Sequence, residues 1–137
     1  IQGVKKRALE GIAANPERYN QETLSVQKLA KRAYDLMEEL NETKHILSLH
    51  PNDLEESRDK LARFLCFYMN GPHLYQEKYG NIQLGAAHAH IPIGSKERDA
   101  WLLCMAKALE KQDWENSFKE FLFMRFQTPA HRIQNMP

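Results

Sequence analysis

Cysteine is scarce in this sequence: the 137 residues hold two, Cys66 and Cys104, each within an apolar stretch and without C-x-x-C spacing. That usage offers neither a disulfide framework nor a thiolate metal site, and it fits a reducing, cytoplasmic setting. An excess of one charge is missing too. Nineteen Lys and Arg stand against eighteen Asp and Glu, a formal net charge of +1, so no global field draws the chain to nucleic acid or an acidic membrane. The basic run Lys5-Lys6-Arg7 is short and reads as a solvated helix face. No apolar stretch approaches the ~18 residues that span a bilayer, which excludes a membrane helix. The opening IQGVKKRALE lacks the apolar centre of a signal peptide. Repeats and low-complexity segments are absent, as are a phosphate-binding glycine loop, G-x-S-x-G and H-E-x-x-H, so the common enzyme signatures are excluded.

What is present is helical spacing. From Asn20 to Leu40 the apolar positions Val26, Leu29, Ala30, Ala33, Tyr34, Met37 and Leu40 recur at threes and fours, which places them on one helix face and turns Tyr34 inward. Asn15-Pro16-Glu17 offers that helix a cap, a proline at the first position and an acid at the positive end of the dipole. Pro51-Asn52-Asp53 breaks the chain. Leu54, Leu61, Phe64, Leu65 and Tyr68 then stripe a second helix, with Ser57 beside the stripe. Between Asn70 and Gly94 lie four glycines and two prolines, so this stretch is expected to be loop with short helical turns. Ser95 is expected to cap a helix carrying Trp101, Cys104, Met105, Ala108 and Leu109, and Asp113 a final one. The aromatics Phe118, Phe121, Phe123 and Phe126, with Leu122 and Met124, make that last helix apolar on nearly all sides, as a buried helix requires. With no alternating strand pattern the fold class is all-α, in a single domain with 42% hydrophobic residues.

Three of the six histidines, His73, His88 and His90, fall in the irregular stretch. His88 and His90 could serve as two zinc ligands, but a zinc site needs a third or fourth, and only His73 shares the loop. Taken alone, each histidine reads as a loop residue hydrogen-bonded to backbone rather than as a ligand.

Three blocks together, GPHLYQEKYG (Gly71 to Gly80), LGAAHAHIPIG (Leu84 to Gly94) and ERDAWLLCM (Glu97 to Met105), resemble the group II truncated haemoglobins. The likeness extends from Tyr34 in AYDLM through HPNDL (His50 to Leu54) to EFLFMRF (Glu120 to Phe126). It implies a truncated globin domain over 20–137, a two-over-two helical sandwich enclosing haem b (iron protoporphyrin IX), with residues 1–19 as an N-terminal helical extension. His88, just ahead of Pro92-Ile93-Gly94, matches the family's iron-ligating histidine; His90 does not. The family's ligand-facing tyrosine and tryptophan correspond to Tyr34 and Trp101. His50 stands where relatives carry Phe, Tyr or His, and Ser57 where they carry a small residue or Thr. Donors of this kind hold a gas that gains negative charge on binding. Leu61, Phe64 and Leu65 are expected to form the apolar wall against the porphyrin, and Tyr75 to reach a propionate.

The chain departs from the family pattern at Asn70-Gly71, where relatives have Gly-Gly, and at Gly85 and Ala87, where they carry arginines. Between Tyr34 and His50 it holds about three residues more than many relatives. These fall near Asn41 to His45 and are expected to form a mobile polar loop that lets Tyr34 or His50 swing onto the iron. The resemblance implies dioxygen, nitric oxide and carbon monoxide as ligands. It points to oxygen or nitric oxide chemistry and detoxification rather than bulk oxygen transport, with a reductase where turnover occurs. Nitric oxide dioxygenase and peroxidase-like activity both fit this reading; a cofactor-free helical interaction module is the alternative.

Overall fold

The computed structural model describes the backbone of residues 16–137 and the side chains from Leu24 onward. Most of the expected 1–19 extension, including Lys5-Lys6-Arg7 and Asn15, lies outside these residues. Within them the chain is all helix and loop: α1 (Pro16–Glu39), a 3-10 turn (Asn41–Thr43), α2 (Lys44–Leu47), α3 (Glu55–Tyr68), α4 (Leu74–Tyr79), α5 (Leu84–His88), α6 (Ser95–Glu110) and α7 (Asn116–Ile133). Proline opens α1 at the position where its missing N–H costs nothing. Among the described residues no helix is long and apolar enough to cross a membrane.

The apolar face of α1 does what its spacing requires. Val26, Leu29, Ala30, Ala33, Tyr34 and Met37 are all buried, and α1 packs on both α3 and α6, while α6 packs on α7. Two helix pairs, α1 with α3 and α6 with α7, thus close over one core. Its larger part gathers Leu29, Leu65, Met105, Leu109, Leu122 and Phe126. A smaller part, formed by Tyr34, Met37, Ile46, Leu54, Ala100 and Cys104, sits at the α1–α2 end. Leu61 and Trp101 pack against both and join them. Both cysteines are buried, and burial pushes the Cys66 thiol up to about 11.

The helix ends explain several local choices. Leu54 is the cap residue of α3, and just ahead of it Asp53 Oδ1 accepts the Glu55 N–H at 3.0 Å, a local Asx turn leading into the helix. At its other end Asn70 takes φ 63°. The Gly71 N–H bonds the Cys66 carbonyl at 2.7 Å and the Asn70 N–H bonds that of Phe67 at 3.0 Å, the paired closure of a Schellman motif. Asparagine is the residue that tolerates this left-handed position best after glycine, which accounts for Asn70 in place of a first glycine. Helix α6 is capped differently from expectation. Gly94, not Ser95, is the cap residue, and its N–H donates to Glu97 Oε1 at 2.7 Å. A Cβ at position 94 would lie 2.8 Å from the Pro137 carbonyl oxygen, so a serine cannot stand there. The start of α7 is also shifted, from Asp113 to Asn116, where Trp114 packs edge-on to Phe118 at 5.5 Å.

Pro129 lies inside α7 and is buried. Having no N–H, it leaves the Arg125 carbonyl without its helical partner; the Tyr68 hydroxyl fills the gap from α3, donating to that oxygen at 2.7 Å.

The extra residues near Asn41 to His45 do not form the loose loop expected of them. They fold into the 3-10 turn and α2, held by Thr43, which is fully buried. Its hydroxyl lies 2.9 Å from the Met37 carbonyl and 3.1 Å from that of Leu40. A polar sequence becomes an anchored corner because one threonine satisfies the carbonyls freed where α1 ends.

Candidate functional site

His88 is the last residue of α5, a helix with no buried residue. Its Nδ1–H donates to the Leu84 carbonyl at 2.7 Å. A neutral imidazole with its proton on Nδ1 carries a lone pair on Nε2, so one nitrogen is oriented by the helix and the other can coordinate a metal.

Tyr34, on α1, and His50, beyond α2, meet at 3.2 Å between the phenol oxygen and Nε2, with their rings edge-on at 5.4 Å. His50 Nδ1–H donates to the Ile46 carbonyl at 2.8 Å. Nε2 is therefore the acceptor and the Tyr34 O–H the donor. Burial pushes the Tyr34 phenol up to about 12, against the opposing effects of a hydrogen bond from Ser57 and the nearby Arg58 charge. Tyr34 thus keeps its proton. Burial holds the His50 pKa below its ordinary value; the Ile46 carbonyl opposes this and the charge of His88 adds to it. Arg58 joins α3 to α1 beside this group, reaching Glu38 at 3.1 Å.

Trp101 is partly buried, with its ring edge-on to Phe126 at 6.3 Å. No protein acceptor for its indole N–H is found among the described residues. The structure thus gathers Tyr34, His50 and Ser57 and sets Leu61 and Trp101 where the two parts of the core meet. Leu61 and Leu84 keep open faces, whereas Leu65 has none and Phe64 stacks on Tyr68 at 5.4 Å. Leu65 and Phe64 back the wall rather than face it. Tyr75 lies on α4, partly buried and tilted against Tyr79 at 5.2 Å.

Sequence reasoning missed the charged hub beside Tyr79. Asp59 receives Arg63 at 2.9 Å, Lys78 at 2.9 Å and the Tyr79 hydroxyl at 2.7 Å, and these partners hold its carboxyl below the ordinary range despite some burial. The i, i+4 spacing of Asp59 and Arg63 was its one legible sign. His73 packs edge-on with Phe67 at 5.0 Å. It borders a cavity of about 310 Å³ that none of the expected site residues line. Among the described residues no three His, Cys, Asp or Glu side chains group so as to hold a metal ion.

The sequence profile of bacterial-like globins matches residues 20–135. A group 2 truncated haemoglobin of Bacillus subtilis (strain 168) is 39% identical over 87 residues, which span 64% of this chain and 66% of that protein. Among solved structures, the group II 2-on-2 haemoglobin of Agrobacterium tumefaciens superposes with a TM-score of 0.79 at 34% identity, covering 84% of this chain and 89% of the other. The truncated oxygen-avid haemoglobin of Bacillus subtilis gives 0.72 at 34% identity, covering 80% and 91%.

Proposed function

This chain belongs to the bacterial-like globin family, as a group II truncated haemoglobin of the 2-on-2 fold, and from that premise we propose that it holds haem b through His88 and binds dioxygen between Tyr34, His50, Ser57 and Trp101. The observation that carries the reading is that His88 has its Nδ1–H committed to Leu84, which leaves Nε2 free, while Tyr34 and His50 form a hydrogen-bonded, proton-bearing pair. The residues fit a planar apolar group: one oriented imidazole lone pair, and half-buried Leu61, Leu84 and Trp101 with faces to cover. Haem, when bound, would supply an iron able to take up a diatomic gas, with His88 as the residue that would hold it.

The chain's own part is to hold protons in place. Tyr34 and Ser57 are O–H donors, and Trp101 adds an indole N–H with no competing acceptor among the described residues. Turning the Tyr34 O–H from His50 Nε2 towards the gas exchanges one hydrogen bond for a stronger, charge-assisted one. His50 Nε2 retains a lone pair, so His50, rather than the proton-bearing Tyr34, is the distal residue able to coordinate when no gas is present. Leu61, backed by Phe64 and Leu65, excludes water. Tyr75, with Lys60, Arg63 and Lys78 on the neighbouring faces of α3 and α4, provides for the propionates in place of the arginines missing at Gly85 and Ala87. Several donors around one ligand slow its release. We therefore assign the protein to oxygen or nitric oxide chemistry and detoxification, supported by a separate reductase, rather than to bulk transport; carbon monoxide enters the same pocket. The N-terminal residues 1–19 form an extension to this domain.

Absorption spectra of the wild type and His88→Ala, each ferric, ferrous and with carbon monoxide, test the assignment. A haem spectrum in the wild type whose axial ligation is lost in the variant supports it; a colourless wild type, or unaltered ligation in the variant, refutes it.

A further inference from the structure

The segment that carries His88 is poorly equipped to hold itself. Helix α5 is five residues long and buries none of them, and a single helical turn is not stable alone. Gly85, Ala86, Ala87, Ala89 and His90 are exposed, so beyond Leu84 and the contact of α5 with α7, packing adds little to fixing where His88 stands. What fixes it is one residue beyond the end of α7. Asn135 spends its whole side chain on this segment: Nδ2 donates to the carbonyls of His88 at 3.1 Å and Ile91 at 2.7 Å, and Oδ1 accepts the Ile93 N–H at 3.0 Å. Its own N–H and that of Met136 both donate to the Ile93 carbonyl, at 2.8 and 3.1 Å. Neighbouring Gln134 accepts from Arg98 of α6 at 2.8 Å, which ties the clamp to the helix that bears Trp101.

We infer that Asn135 is a positioning residue for the proximal histidine: it fixes the backbone of residues 88–93 and thereby sets the tilt and distance at which the His88 imidazole meets the iron. This rests on the reading of His88 as the iron's protein ligand. The amide is suited to the task because it is donor and acceptor at once. Only a carboxamide offers two N–H donors and an acceptor oxygen from one planar group, and asparagine carries it on the shorter of the two carboxamide side chains. Asn135 is exposed, so replacing it opens no cavity, and the effect of a substitution reports on the hydrogen bonds.

Two variants separate the halves of the clamp. Asn135→Asp keeps an oxygen for the Ile93 N–H but loses both donations and sets a carboxylate against two carbonyls; Asn135→Ala loses everything. In the apoprotein, amide exchange at Ile93 should rise roughly tenfold in Asn135→Ala, as loss of a hydrogen bond of ordinary net strength allows, and much less in Asn135→Asp. In the holoprotein, both variants should shift or broaden the iron–histidine stretching band of the photolysed carbon monoxide complex and lose haem faster than the wild type. A merely structural tie would lower the melting temperature without moving that band. If the wild type shows the band, and His88→Gly removes it until imidazole is added, the His88 reading stands; an unmoved band and wild-type haem loss in both Asn135 variants then overturn the positioning role alone. No such band in the wild type overturns the His88 reading and this inference with it.

Discussion

The hydrogen bond from Tyr68 to the Arg125 carbonyl invites a double-mutant cycle. In Tyr68→Phe the ring stays in place, and with it the packing against Phe64 and the Arg125 guanidinium 4.8 Å above the ring. What disappears is the hydroxyl, leaving a carbonyl that Pro129 cannot serve. An unsatisfied buried acceptor costs ~1–3 kcal/mol; because this one is only part-buried, the expected loss is about 1–2 kcal/mol. That corresponds to a fall of roughly 3–8 °C in melting temperature for a chain of this size. Pro129→Ala returns an N–H four residues after Arg125, so the helix can close its own hydrogen bond. In that background Tyr68→Phe should cost less by about 1 kcal/mol, the coupling expected of residues in one network. Pro129→Ala also removes buried volume, so its own sign is not the test. Urea denaturation of the four proteins, all apo or all holo, measures the coupling. Costs of Tyr68→Phe that agree within ~0.3 kcal/mol in the two backgrounds would refute the claim that the hydroxyl stands in for the proline's missing N–H.

Two further expectations follow from the corner that carries the distal residues. Thr43→Val keeps the shape but removes the hydroxyl bonded to the ends of α1, so it should lower stability by ~1–3 kcal/mol, seen as a lower urea midpoint at unchanged slope; an unchanged midpoint would show that the corner holds without it. Tyr34, pushed up to about 12, holds its proton longer in the folded chain than in the unfolded one. Its contribution is therefore complete below pH 10 and is lost as pH rises through about 12, up to about 2–3 kcal/mol by linkage. Stability measured at pH 9 and 11 should fall more in the wild type than in Tyr34→Phe, and parallel behaviour of the two would contradict the burial argument.

Much of the architecture was legible before any coordinates. The face of α1 from Val26 to Met37, the break at Pro51, the irregular stretch from Asn70 to Gly94 and the aromatic α7 all express local periodicity or local breakers, which act over one or two turns. The resemblance singled out His88, Tyr34, His50 and Trp101. It could not say that the Tyr34 hydroxyl donates to His50 or that Leu65 would be sealed inside the core, because both depend on how α1, α2 and α3 settle against one another. The polar run at Asn41 to His45 read as a loop because no periodic signal shows one buried threonine capturing carbonyls from the preceding helix. The caps of α6 and α7 moved for a similar reason: Gly94 is chosen by the backbone that crosses it from residue 137, and the start of α7 is where Trp114 meets Phe118.

The sequence by itself determined the helical pattern and which faces of the helices turn inward, since both rest on residue spacing within a short stretch, while the resemblance of its motifs implied which histidine matches the family's ligand. Only the tertiary structure decided the polar pairings that span 57 residues from Tyr68 to Arg125 and 47 from Asn135 to His88. A hydrogen bond depends on a few tenths of an ångström and on angle, and that geometry exists only once the core has packed and brought the distant segments together.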